Sequence, residues 1–226
     1  MSSKHPLCCA AALFLLGWAP LCGSGGAAEV HSELLAGYAG GPGGQMGLLV
    51  SHFVERSPLS VRFALGYDFL SPGNAEDARR IFINDADNGT PEQTGHAFVW
   101  RLDLVAPLGA RGSGWSLYAG PRYSRFTASF KFVGGDEDFD VRCHQWGVGG
   151  GAEYTAPMSP GVSLRVSGGA DYFFPAALDG HDTLYRPDND NVNAHHDYTY
   201  QDADRAIDQP TLQFRVQAGV TLRLGP

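Results

Sequence analysis

Cysteine is scarce in this sequence, with four in 226 residues, and three of the four lie within the first 22 residues. That segment has the features of a secretory signal peptide: Lys4, then a short apolar stretch, then small residues up to Ala28. We therefore expect cleavage after Ala28, with residues 1–28 as the signal peptide and residues 29–226 as one mature domain. The exported chain would keep only Cys143, so it would contain no internal disulfide and must be stabilised in another way.

Long apolar runs and excess positive charge are also missing. No apolar run reaches the length of about 18 residues that a membrane-spanning helix needs. The sequence has 16 Lys and Arg against 24 Asp and Glu, a net charge of −8, which argues against a nucleic-acid partner. The glycines at 41–44 are followed by no Lys, Ser or Thr of a phosphate-binding loop, so they predict a turn. We expect no cofactor.

A strict two-residue alternation is what the sequence does contain. In TLQFRVQAGVTLRL, residues 211–224, every second residue is apolar and none of the residues between them is large and apolar. A period of two indicates a β-strand with two unlike faces. Similar segments give eight candidate strands, at residues 33–38, 46–55, 59–70, 98–106, 115–130, 146–154, 162–174 and 211–224.

The connections between these strands alternate in length. The second, fourth and sixth are tight turns, whereas the odd connections include the long, acidic loops 71–95 and 175–210. Short turns at one end and long polar loops at the other are typical of outer-membrane barrels. The chain resembles the small eight-stranded outer-membrane barrels of the OmpA and OmpW type, in architecture, over residues 29–226. The resemblance implies an all-β fold, an eight-stranded antiparallel up-and-down transmembrane β-barrel, with the lipid bilayer of a cell outer membrane as its partner.

The polar face of the strands indicates which side is enclosed. It is rich in small residues, which suit a narrow lumen, and it carries charges of both signs that can pair where water is scarce. A soluble, lipocalin-like binding barrel would show the same alternation with its apolar face inside, and it is the competing fold. The predicted lumen ion-pair network consists of Arg62, Asp68, Arg101, Asp103, Arg122, Glu153, Arg165, Asp171, Arg215 and Arg223.

The long loop 175–210 is rich in Asp and His, residue types that bind divalent cations. Its spacing is not that of a calcium-binding loop, so we predict no metal site and expect a solvated, acidic surface. Contact of the outer loops with lipopolysaccharide or divalent cations stays open. The weak candidates for a metal are Asp188, Asp190, His195 and His196.

Catalytic chemistry would need a nucleophile or activated water beside a histidine and a carboxylate. Histidines and suitable partners occur near the predicted strand ends, but none has a spacing that marks a site. We therefore predict a non-enzymatic barrel with a structural or surface-contact role; the alternatives are a narrow channel for small or apolar solutes and the soluble binder. The residues considered for catalysis are His96, His144, His181, Ser124, Ser129, Asp140 and Asp182.

Overall fold

A computed structural model describes residues 28–52, 57–109 and 114–224. The predicted signal peptide lies almost wholly outside these residues and stays a prediction, as does its cleavage after Ala28. Eight long strands form the wall: β1 (Glu29–Ala39), β2 (Pro42–Ser51), β3 (Ser60–Leu70), β4 (Thr90–Pro107), β5 (Trp115–Val133), β6 (Asp138–Ser159), β7 (Val162–Phe173) and β10 (Leu212–Arg223).

The eight long strands close into a barrel. Each pairs in antiparallel fashion with its neighbours in the chain, and β10 follows β7 around the wall. The last strand then pairs with the first, from His31 opposite Arg223 to Ala39 opposite Arg215, so no long strand has a free edge. The predicted fold class, an eight-stranded antiparallel up-and-down barrel, is confirmed.

Three strands are longer than the sequence pattern indicated, β5 slightly and β4 and β6 by about a factor of two. β4 spans 18 residues, β5 spans 19 and β6 spans 22, and β5 and β6 continue as a hairpin well past the apolar part of the wall. On β5 and β6 the prediction stopped short because the apolar residues change from the outer to the inner face, and on β4 because residues 90–94 carry no apolar alternation. The end of the predicted second strand, residues 53–55, lies outside the described residues.

The two long connections at one end of the barrel contain secondary structure that the sequence pattern did not predict. The connection after β3 contains α1 (Ala75–Phe82), and that after β7 contains β8 (Leu178–Gly180), β9 (Thr183–Tyr185) and α2 (Tyr200–Ile207). Asn74 accepts hydrogen bonds from the first turn of α1, and Thr199 forms a capping box with Asp202 at the start of α2. β8 extends the sheet by pairing with β6. We call these four elements the cap.

The apolar faces of the strands point outward over most of the wall. Phe214 is 69% exposed and Val216 is 64% exposed, although a water-soluble chain of this size would bury such side chains. Of the helices in residues 28–52, 57–109 and 114–224, none is long and apolar enough to cross a membrane. Other large apolar residues on the outer surface include Leu34, Met46, Phe63, Leu102, Leu104, Leu117, Trp146 and Val148.

Candidate functional site: the charged barrel interior

Strand alternation turns charged side chains into the middle of the barrel. Of the ten residues predicted for the lumen network, nine are buried inside the wall. Arg223 differs, because it lies at the barrel end, exposed, with its guanidinium 3.0 Å from a Glu29 carboxylate oxygen. The strand position of Arg223, at the very end of β10, explains why it is not enclosed by neighbouring strands.

Glu33 is an interior carboxylate that the sequence prediction missed. It is buried on β1, with Nε of Arg62 3.0 Å from one carboxylate oxygen and Arg165 in contact with the other. The adjacent Leu34 and Leu35 hid the alternation in β1, since Leu35 also points inward. The charge count was the available signal: six predicted arginines against four acids left two positive charges without partners.

The part of the network farther from the cap, here called the lower part, is a ring of two arginines and two glutamates. Nη2 of Arg62 donates to both carboxylate oxygens of Glu153, at 2.7 and 2.8 Å. Arg165 also donates to Glu153, and both arginines contact Glu33. Each glutamate therefore bridges two guanidinium groups. The negative charge of each glutamate is thus neutralised by protein groups and not by water.

Asp171 is the centre of the upper part of the network. Its carboxylate accepts from Nε of Arg122 at 2.7 Å and from Nη1 of Arg215 at 3.0 Å, while Nε of Arg101 lies 3.5 Å away. Arg101 also donates to Oε1 of Gln45 at 2.9 Å and lies 3.5 Å from Asp68.

Asp103 and Tyr118 join the two parts. Asp103 lies 2.7 Å from Arg122 in the upper part and 3.7 Å from Arg62 in the lower part. The Tyr118 ring lies between Arg62 and Arg215, whose guanidinium carbons are 5.6 and 5.5 Å from its centroid. With Glu33 included, the network contains five arginines and five carboxylates, so it is electrically balanced.

Glycines on the inner face make room for these large side chains. A Cβ at Gly66 would overlap Nη1 of Arg101, and one at Gly149 would overlap Oδ1 of Asp171. A Cβ at Gly151 or Gly169 would come within 2.5 Å of the Tyr118 hydroxyl. The small residues noted in the sequence therefore occupy the places where the charged groups cross the lumen.

The overall architecture is shared with a solved bacterial protein. A major outer membrane protein from Thermus thermophilus matches with a TM-score of 0.69 and 21% identity, over 88% of this chain and all of that chain. This chain has an outer-membrane-barrel fold. Neisserial surface protein A also matches, at 13% identity and a TM-score of 0.40, over 87% of this chain and 97% of that chain. No protein-family model and no curated protein matches the sequence.

The cap closes one end of this outer-membrane-type barrel with an apolar core. Ile81 and Phe82 of α1 and Ile207 of α2 are buried against inward-facing phenylalanines of β5. The Tyr185 hydroxyl donates to the carbonyl of Ile81 at 3.1 Å, which ties β9 to α1. The apolar residues of the two connections are thus packed onto the barrel, while residues 187–190 and 195–197 stay exposed.

A small polar contact joins the cap to the barrel wall. Nε2 of Gln145 donates to Oε1 of Gln209 at 3.2 Å and to the carbonyl of Pro210 at 3.0 Å. The Cys143 thiol donates to the same Gln209 oxygen at 3.0 Å. Cys143 is buried and forms no disulfide, so it serves here as a weak donor within packed surroundings.

The residues considered for catalysis are dispersed. His96 stacks on Tyr67 on the outer wall, with ring centroids 5.6 Å apart, and Nδ1 of His144 lies 2.9 Å from the Tyr123 hydroxyl on the same surface. His181 is exposed beside Asp182. Ser124 faces the interior, on the opposite side of the wall from the pair formed by Ser129 and Asp140 at 2.7 Å. None of the histidines forms a nucleophile-base-carboxylate arrangement within the described residues.

The weak metal candidates are likewise engaged separately on the exposed loop. Asp190 pairs with Arg186 at 3.1 Å, Asp188 accepts from the Asp190 amide, and His196 lies 3.1 Å from Asp197. His195 packs edge-on against Tyr198. In the described part of the chain, no group of three or more His, Cys, Asp or Glu is arranged to hold a metal ion.

Proposed function

We propose that this chain is an integral outer-membrane β-barrel whose charged interior is a structural plug and whose capped, acidic end faces outward. Its role would be to support the envelope or to make surface contacts, rather than to pass solutes. The observation that carries this proposal is the reversal of polarity across the wall, with arginines and carboxylates inside and leucine, valine and phenylalanine outside.

The free-energy cost of turning the charged face outward, towards lipid, supports the orientation seen here and with it a membrane location. An arginine facing lipid at mid-membrane costs about 2–4 kcal/mol, so five outward arginines would prevent insertion. Conversely, the outer wall exposes many large apolar side chains side by side. Water-soluble monomers rarely expose a contiguous apolar surface of this kind. A soluble binding barrel would need the reverse distribution around an apolar cavity.

Membrane fractionation combined with a heat-modifiability gel tests this location. We expect the protein in the outer-membrane fraction, extractable only with detergent, and migrating differently before and after boiling because the closed barrel resists detergent. Release of the folded chain by a salt or carbonate wash would contradict the proposal and favour the soluble binder.

The filled interior supports a non-conducting barrel over the alternative of a narrow channel. Arg62, Arg101 and Arg122 are almost completely buried and cross the lumen to partners on other strands. Passage of a solute would require these paired charges to separate in a low-dielectric space, which is costly. In planar bilayers we expect no steady unit conductance from purified protein, and reproducible unitary steps would favour the channel.

A further inference from the structure

A groove on the outer wall arises where Pro121 interrupts the ladder between β4 and β5. Pairing is continuous up to Arg101 opposite Arg122 and resumes at Leu104 opposite Ala119. Proline has no N–H to donate at the intervening position, so the two strands are not joined there. The groove has a volume of about 460 Å³, and the outward side chains around it are apolar or aromatic. They are Phe63, Trp100, Leu102, Pro121, Tyr123 and Trp146.

Basic side chains lie directly above this groove, towards the cap. Arg125 and His144 are opposite each other on β5 and β6, each two residues beyond the groove-lining Tyr123 and Trp146. Alternate residues of a strand share a face and are about 7 Å apart. Arg125 and His144 therefore project from the same outer surface, immediately beyond the aromatic rim.

The guanidinium of Arg125 has no protein partner within the described residues. It is exposed, and no carboxylate in residues 28–52, 57–109 or 114–224 lies within ion-pair distance of it. The next basic residue on this surface, Arg142, is different because its Nη2 lies 3.0 Å from an Asp140 oxygen. Arg125 is therefore the cation of this patch that is left for an external anion.

His144 is oriented to act as a second donor. Its Nδ1 lies 2.9 Å from the Tyr123 hydroxyl. When Tyr123 donates this hydrogen bond, the neutral imidazole carries its proton on Nε2, which then donates to an oxygen beyond the wall. Tyr123 thus links the apolar groove to the polar patch.

We propose that this surface binds an anionic lipid, with one acyl chain in the groove and the headgroup phosphate at Arg125 and His144. The inference rests on the proposed membrane location. Aromatic side chains favour the membrane-water interface, and arginine is well suited to phosphate oxygens. Arg125 also lies opposite Phe98, which lines a larger groove of about 810 Å³ centred on Met46 and Tyr67. The second donor, His144, lies on the side of the smaller groove, where Tyr123 links it to the aromatic rim, so the pair of donors selects the smaller groove.

Lipid retention measured by native mass spectrometry tests this assignment. The full chain would be folded into vesicles of equal phosphatidylglycerol and phosphatidylcholine, extracted with mild detergent, and its retained lipids counted. We expect preferential retention of phosphatidylglycerol, lowered about fivefold by Arg125→Gln, since one cation near an anionic headgroup is worth that factor. Lys131→Gln is the matched control, because it removes one charge from the same outer face of β5, six residues away, and should change nothing.

Two further measurements distinguish the contribution of the acyl chain to binding from that of the headgroup phosphate. Leu102→Trp would fill the groove without changing charge and should also lower phosphatidylglycerol retention, with heat-modifiability checking that the barrel is intact. Inorganic phosphate at millimolar concentration should not displace the lipid. Equal retention of both lipids by the wild type, or equal losses in the Arg125 and Lys131 variants, would overturn the lipid site alone. Failure of the wild type to insert into vesicles would overturn the membrane proposal as well.

Discussion

The middle of the barrel and its capped end bury side chains in opposite ways, and β5 runs through both regions. In the middle its inward residues are Tyr118, Arg122 and Ser124, whereas beyond them the inward residues are Phe126 and Phe130. The outward face changes at the same point, from the aromatic Tyr123 to the exposed Arg125. Along β5, the wall therefore has the polarity of a membrane barrel on the side away from the cap and that of a water-soluble protein on the cap side.

This difference teaches that alternation identifies the two faces of a strand but not the solvent on each side. Where lipid surrounds the wall, the interior must receive every charge, and each charge needs a partner. Where water surrounds it, the interior becomes an ordinary apolar core covered by α1 and α2. The change of polarity along β5 and β6 marks where the proposed membrane ends.

The largest effect should come from removing the central acid of the charged region. Asp171→Ala leaves Arg215 buried without its carboxylate partner and removes one of the two carboxylates that Arg122 contacts. Breaking a buried ion pair from one side costs about 3–5 kcal/mol. We expect this loss of unfolding free energy in urea titrations of the refolded barrel in micelles, and a loss below about 1 kcal/mol would show that water enters the interior freely.

A core substitution in the cap should be costly but local. Ile207→Ala removes a fully buried side chain from α2, which costs about 2–5 kcal/mol in a packed core. We expect faster proteolysis within the cap while the strands keep their heat-modifiable behaviour. If the barrel unfolds together with the cap, the two regions form one cooperative unit.

Alkaline pH should loosen the cap. Burial raises the pKa of Tyr200 to about 12, and its hydroxyl donates to the Ala176 carbonyl. Because the unfolded phenol has a pKa of about 10, cap stability should be constant below pH 10 and decline as the pH rises towards 12. Proteolysis as a function of pH measures this decline, and Tyr200→Phe should reduce it, while the part due to Tyr185, whose pKa burial also raises, should remain.

Removing the N-terminal capping residue of α2 should have a smaller effect on the cap. Thr199 and Asp202 satisfy each other's backbone N–H groups at the start of α2. Thr199→Ala should cost about 1 kcal/mol of cap stability. Hydrogen exchange of the α2 amides measures this, with Thr199→Ser as a control that keeps the hydroxyl and should remain near wild type.

The smallest effect is expected at the exposed end of the barrel, opposite the cap. Arg223→Gln breaks the ion pair with Glu29, but both groups contact water. Exposed pairs contribute about 0–1 kcal/mol, so urea unfolding should barely change. Comparing the loss of unfolding free energy in this variant and in Asp171→Ala tests whether burial of an ion pair, and not pairing alone, makes its removal costly.

The sequence by itself determined the strand alternation, the number of long strands in the wall and the face on which the charges lie, because these follow from a local period of two. Only the tertiary structure decided which charges meet. Arg62 and Glu153 are 91 residues apart, and Glu33 is recognised as an interior acid only when β1 is placed between β2 and β10. The fold of the loops also depended on tertiary contacts, since α1 and α2 have eight residues each and helices this short are stabilised by the apolar core that they cover.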